Sequence, residues 1–561
     1  MIEHAAERRA AGDWRGACAA AGVDVAFDLT EVAGHCGEEM AEALEDDLRH
    51  LVPDLLRWHL PRVLGGWTTL LTDRTVVLAR YRPVGAAERP LTTPYLHVTT
   101  PPMLQGPQRV TLRFETVAGE TAAGVFGWGI RDWRHARHLW DARHSGELLE
   151  RCGGGERPPF FHPDGRPRTA EELPTADPGP ADPAARAEWT TLLHQRGAVL
   201  EALAAAGVEA DLVPPSERAQ RQGNPEGFLR RLAVACTRLE PEVRRLADAG
   251  VGGAFLIDGR WRTNFLLEPV GSGAGLRLSA VDRKDTEGVP LLTEELWRRL
   301  PDLDLLRMGG VEPAHLHPLV RESLFPALTV SGGTVGPPGP DAPAPVRVRC
   351  RGEWHEVGFR HGDGLLRMPH SDEEQQRERA LRAFGGAVAG CFAVQQTWAS
   401  GTGRLPRALR AQLRDLFLRA QHGDTHGVLE LLDAGVDPRV RDASQRSLLH
   451  VLHLVDHEVL LPRLLEEGLD LEARDSRDRT PLFTAVNDGG SRALVEAFLA
   501  AGARIDVVDD SEYSLAQIIR RYKRSDLAFL RQRVRKEHPG LGARWWDEMM
   551  DDNDEYEDED R

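Results

Sequence analysis

Lysine is almost missing from this chain. Lys284, Lys523 and Lys536 are the only three among 70 basic residues in 561, and the rest are arginine. With 55 glycines and 37 prolines beside them, this bias reads as the coding habit of a GC-rich bacterial genome. Arginine content is therefore no sign of nucleic-acid affinity, and a net charge of −17 argues against a phosphate-seeking surface. Cysteine is scarce as well. Cys18, Cys36, Cys152, Cys236, Cys350 and Cys391 lie far apart, and no Cys-x-x-Cys pair occurs. That spacing argues against a disulfide framework and against a structural zinc site, leaving buried free thiols as the expectation. No apolar run approaches the ~20 residues of a membrane-spanning helix. Residues Met1 to Arg9 carry charge where a secretion signal carries apolar residues, so a cytoplasmic protein is expected.

Motifs of catalysis are missing too. No Walker loop, no His-Glu-x-x-His and no Gly-x-Ser-x-Gly elbow occurs. Gly271 to Gly275 lacks the following helix that a phosphate loop needs, and reads as a hairpin tip. His135, His138 and His144, with Asp132 and Asp141, sit among Arg134, Arg137 and Arg143, which would repel a cation. His355, Glu356, His361 and Asp363 cluster near Trp354. Strand alternation puts His355 and Glu356 on opposite faces, so no acid–base pair is indicated. No catalytic residue, cofactor or metal ligand is expected, and no enzymatic activity.

What is present organises the chain. Residues 1–152 mix helices and strands. Glu38 to Arg62 reads as helix interrupted by Pro53, and strand pairs follow at Thr68 to Tyr81 and at Tyr95–Val98 with Val110–Phe114. Trp133 to Arg151 reads as helix, with Trp133 and Trp140 as packing anchors. Residues 153–185, rich in Gly and Pro, read as a linker. Residues 186–330 form a second α+β segment in which Ala254–Ile257 and Asn264–Leu267 flank an Asp-Gly turn. A Gly/Pro linker at 331–345 precedes 346–404, a hairpin followed by one long helix over Ser371 to Gln396. Residues 541–561 carry ten acids from Asp547 to Asp560 after Trp545 and Trp546, and are expected to be a disordered tail.

Residues 405–540 repeat themselves. Gly435, Gly468 and Gly502 are spaced 33 and 34 residues apart, each ending an apolar helix. Ser447-Leu448-Leu449-His450, Thr480-Pro481-Leu482-Phe483 and Ser514-Leu515-Ala516-Gln517 follow at matched distances. Ser or Thr suits a helix cap, Pro481 the first helical turn, and the glycines a left-handed helix end. This block resembles the ankyrin-repeat family. Asp442 to Asp470 and Asp475 to Asp506 match well. Leu413 to Asp437 and the stretch from Ser514 look like caps, the latter keeping only its first helix.

The expected fold is thus an α+β N-terminal region of unrecognised fold followed by an all-α ankyrin-repeat solenoid. The resemblance implies a protein–protein adaptor or regulatory subunit, with another protein as partner and neither nucleic acid nor membrane. It assigns contacts to the turn tips and first-helix ends: Arg439, Arg441, Asp442, Gln445 and Arg446; Arg474, Asp475, Ser476, Arg477, Asp478 and Arg479; Asn487 and Asp488. Two alternatives stand beside it: an unrecognised enzymatic or nucleotide-binding site in the N-terminal region, and a repeat block that only braces the rest of the chain.

Overall fold

The computed structural model describes residues 1–63, 69–81, 93–117, 130–214, 216, 224–258, 264–270, 275–282, 286–329, 345–359, 366–385, 389–400 and 403–543. They form two compact units. The first comprises Met1–Pro61, Asp73–Thr100 and Arg109–Pro338; the second comprises Arg62–Thr72, Pro101–Gln108 and Gly339–Arg561.

In the first unit, a five-stranded sheet runs in the order β1 (Val23–Val25), β4 (Val110–Glu115), β3 (Tyr95–Thr99), β2 (Thr75–Arg80), β5 (Ile130–Asp132). The pair β3–β4 is antiparallel, as its two apolar runs predict. The strand pair expected within Thr68 to Tyr81 is the single strand β2, which pairs antiparallel with β3, and the edge pairs β1–β4 and β2–β5 are parallel. A four-stranded sheet follows, in the order β6 (Val208–Asp211), β9 (Gly275–Val281), β8 (Asn264–Val270), β7 (Phe255–Ile257). Its β6–β9 pair is parallel and the other two are antiparallel. The Asp-Gly turn at 259–263 and the glycines 271–274 lie outside the described residues. Helices Glu38–His50 and Pro53–His59 break at Pro53 as expected. Trp133 and Trp140 are fully buried anchors, but the segment around them is two 3-10 turns and a four-residue helix rather than one long helix.

Residues 153–185, expected to be a linker, are packed into this unit. Phe160 and Phe161 are buried. Glu188, with no exposed side-chain surface, receives Arg157 at 2.5 Å and Arg168 at 2.6 Å, and accepts the Phe160 amide at 2.7 Å. Two guanidinium groups and an amide compensate a carboxylate that burial alone would expel.

The second unit opens with an antiparallel sheet of β10 (Val346–Cys350), β11 (Glu353–Phe359) and β12 (Leu366–Arg367). The single helix expected over Ser371 to Gln396 is two, Asp372–Ala383 and Gly390–Ser400, because Gly385 and Gly390 adopt φ of 83° and 62°. Four helix pairs follow: 407–421 with 425–433, 448–454 with 457–466, 481–487 with 492–500, and 515–521 with 528–537. Gly435, Gly468 and Gly502 end the second helices with φ of 95°, 77° and 97°. The last pair has a second helix, Ala528–Glu537, that its sequence did not announce. One apolar cluster runs from Val348 and Trp398 through Leu432, Leu464 and Phe498 to Val534. Each large side chain so buried contributes about 1.5–3 kcal/mol.

These observations correct the expected fold class. The chain is mixed α/β, with three sheets among the described residues spread along it and parallel pairings among the antiparallel ones. The C-terminal part is not an all-α solenoid. Its core is continuous with a β-sheet, and segment Leu448–Leu454 is 3-10 rather than α.

Candidate functional site

The turns between helix pairs are built alike. Asp442 Oδ1 accepts the amides of Ser444 and Arg446, both at 2.9 Å, while its Oδ2 accepts Arg446 Nε at 2.8 Å. Asp475 does the same 33 residues later, accepting the amides of Arg477 and Arg479 at 2.9 Å and Arg479 Nη2 at 2.7 Å. Asp509 accepts the amides of Ser511 at 3.1 Å and Tyr513 at 2.8 Å. A carboxylate bonding its own turn favours a left-handed residue ahead of the next helix, and Gln445, Asp478 and Glu512 occupy it at φ of 61°, 58° and 64°. Burial pushes the Asp475 carboxyl up, but the Arg479 and backbone hydrogen bonds outweigh it and hold the group below the usual carboxylate range.

Successive turns are also tied to each other. Ser476 N–H donates to Ser444 O at 2.8 Å and Asp510 N–H to Arg477 O at 2.9 Å. Arg441 donates to Gln445 O and Arg474 O, and Arg474 to Asp478 O and Val508 O. His450 joins two pairs from inside. Its Nδ1 faces the Ser447 amide at 3.1 Å and its Nε2 lies 3.0 Å from Arg479 O. Burial pushes His450 down to about 4.

The thirteen residues assigned to partner contacts therefore divide. Arg439, Arg474, Ser476, Arg477 and Asp478 are exposed. Arg441, Asp442, Gln445 and Arg446 are half-buried, and Asp475 and Arg479 are buried with their charges turned on the turn itself. Asn487 donates to Asp488 Oδ1 at 2.6 Å, and Asp488 is buried. Here the unit's own segment 101–108 closes in. His453 Nε2 meets Gln105 O at 2.9 Å, and Gly106 runs so near that a Cβ on it would sit 3.2 Å from Asp488 O.

A second group of side chains converges beside β11. Cys350 at the end of β10, His355 within β11, His370 after β12 and Cys391 in the first turn of helix Gly390–Ser400 place one donor atom each within 4.8 Å of the others. His355 Nδ1 lies 3.2 Å from His370 Nε2 and 3.5 Å from Cys391 Sγ, and Cys350 Sγ lies 3.6 Å from His370 Nε2. Both thiols are buried. Burial, with Cys350 alongside, pushes Cys391 up to about 12. Sequence reasoning missed this group because it sought closely spaced cysteines, while the four side chains come from four separate segments. Cys350 and His355 across a tight Arg351-Gly352 turn are the readable half of the signal. Glu356 stands outside the group, and His361 and Asp363 lie outside the described residues.

Among the described residues, His135, His138 and His144 do not form a metal-binding group with Asp132 and Asp141. Asp132 is taken by Arg134 at 2.7 Å, Asp141 by Arg137 and Arg143 at 2.6 and 2.8 Å, and His144 by Glu147 at 2.7 Å. His138 is buried, which pushes its pKa well below the ordinary range.

No family model matches the chain. It is similar to Ankyrin repeat-containing protein P1E11.10 of Schizosaccharomyces pombe, with 35% identity over 69 residues, or 12% of this chain and 33% of that protein. The chain thus spans about a third of the length of the curated relative it matches. This similarity supports an ankyrin-repeat region. Among the described residues, no helix is long and apolar enough to cross a membrane.

Proposed function

We propose that the helix pairs of the second unit recognise another protein through their turn tips, so that the chain serves as an adaptor or regulatory subunit. One observation carries the reading. The tips are fixed by their own aspartates and by hydrogen bonds from turn to turn, yet Arg439, Arg474, Arg477 and Asp478 remain exposed along them. A pre-ordered row of charges loses little entropy on binding, and three arginines beside one aspartate suit a polar, charge-complementary partner surface. The partial similarity to an ankyrin repeat-containing protein supports the same class of role. Asn487 and Asp488 drop out of this surface, since segment 101–108 occupies their neighbourhood. The test is capture of partners by the full chain and by its Arg474→Ala/Arg477→Ala/Asp478→Ala variant. A discrete partner held by the first and lost by the second is expected; an unchanged set discards the surface.

A second reading, that the helix pairs brace the chain's own segment 101–108, is favoured by the His453–Gln105 contact. It predicts that His453→Ala loosens that segment in hydrogen exchange while the triple tip variant leaves exchange of segment 101–108 unchanged.

A further inference from the structure

We propose that Cys350, His355, His370 and Cys391 bind one zinc ion in a closed, four-coordinate site that fastens the β10–β11 hairpin to helix Gly390–Ser400.

Spacing is the first argument. Zinc takes thiolate at about 2.3 Å and imidazole nitrogen at about 2.0–2.1 Å, usually as a tetrahedron. The edges of such a tetrahedron are about 3.3 Å between nitrogens and about 3.5 Å between nitrogen and sulfur. The measured separations are 3.2 Å for His355 to His370, and 3.5 and 3.6 Å for the two nitrogen–sulfur edges. Three of the six edges thus match one small polyhedron, and all four donor atoms, from four separate segments, lie within 4.8 Å of one another.

Donor chemistry is the second. Two sulfurs and two imidazoles suit zinc and disfavour magnesium or calcium, which take oxygen. Binding would release the two thiol protons to solvent, and the two thiolates would cancel the ion's charge inside an apolar surround. That surround exists: Val348, Val357, Phe392 and Trp398 belong to the buried cluster around the two cysteines.

Orientation is the third. Zinc-binding histidines usually turn their second nitrogen to a carboxylate or carbonyl. His370 turns Nδ1 to Glu374 at 3.5 Å, and His355 turns Nε2 toward Glu353 at 3.9 Å. Arg351, next to Cys350, is drawn off by Glu374 and Glu378 at 3.6 and 3.2 Å. Gly390 lets the helix approach: a Cβ there would lie 2.5 Å from Cys350 Sγ.

The site has a structural consequence. Trp398, Leu405 and Leu409 belong to the same apolar cluster as the two cysteines and the helix pairs, so the ion would fix an element whose core is continuous with theirs.

Native mass spectrometry of the full chain purified with zinc present tests the proposal, with cobalt substitution as the spectroscopic readout. One ion per chain is expected, with cobalt giving the intense visible bands of a tetrahedral site and a thiolate charge-transfer band. Cys391→Ser and His370→Ala are expected to lose the ion. Cys236→Ser, which alters a buried thiol of the first unit, is expected to keep it. Glu374→Gln, retaining all four ligands, is expected to weaken zinc about 10-fold or more in chelator competition. Chelation and re-addition on the wild-type chain reads the site even where a variant fails to fold. A metal-free chain, a Cys350–Cys391 disulfide in its place, or full zinc content in Cys391→Ser would each overturn the assignment.

Discussion

Replacing His450 probes the joint between helix pairs. Its Nδ1 must accept, because it faces the Ser447 N–H, and its Nε2 must donate, because it faces the Arg479 carbonyl. The ring is therefore neutral, with its proton on Nε2. His450→Ala leaves one buried donor and one buried acceptor without partners, at about 1–3 kcal/mol each, and opens a cavity. The expected loss is about 3–5 kcal/mol of local stability in the second unit. Native-state hydrogen exchange of the full chain over the helices 448–500 measures it. The same geometry fixes the pH dependence. Burial lowers His450 from 6.5 to about 4, so the unfolded chain takes up its proton first as pH falls. The stabilisation is complete above pH 6.5 and is lost at about 1.4 kcal/mol per pH unit on the way down to pH 4. His450→Gln removes that slope, so the gap between wild type and variant narrows as the pH falls. A variant within 1 kcal/mol of wild type at pH 7, or a gap unchanged from pH 7 to 4.5, refutes the bridging role.

Other outcomes follow from the same contacts. Glu188→Ala strands Arg157 and Arg168 and is expected to cost about 3–5 kcal/mol in urea unfolding of the first unit. Asp475→Ala frees two turn amides and the buried Arg479, costing about 2–4 kcal/mol, whereas Arg477→Ala in the same turn stays within about 0.5 kcal/mol. Parallel thermal melts distinguish them. Asp478→Gly relieves a left-handed backbone at φ 58° and is expected to raise the melting temperature slightly. Gly390→Ala is expected to lower it, since its Cβ would meet Cys350 Sγ.

Much of the second unit was legible because its signals are local. A helix end that needs positive φ selects Gly435, Gly468 and Gly502, and a cap selects Thr480 and Ser514, each readable within a few residues. The hairpins of β3–β4, β7–β8 and β10–β11 were legible for the same reason. Parallel edge pairs such as Val23–Val110 were not, since nothing near Val23 names a partner so distant in sequence. The interruption of the Ser371 to Gln396 helix at Gly385 and Gly390 is hidden by the periodicity on either side of it. Of the tip residues, the sequence could not separate Asp475, which serves its own turn, from Asp478, which faces solvent. The Cys350–Cys391 cluster escaped because folding, not spacing, gathers its four donors.

X-ray absorption at the zinc edge on the purified full chain addresses the proposed site at Cys350, His355, His370 and Cys391. A shell of two sulfurs at about 2.3 Å and two nitrogens at about 2.0 Å is expected. A shell of light atoms alone, or no zinc signal from protein purified in its presence, would contradict it.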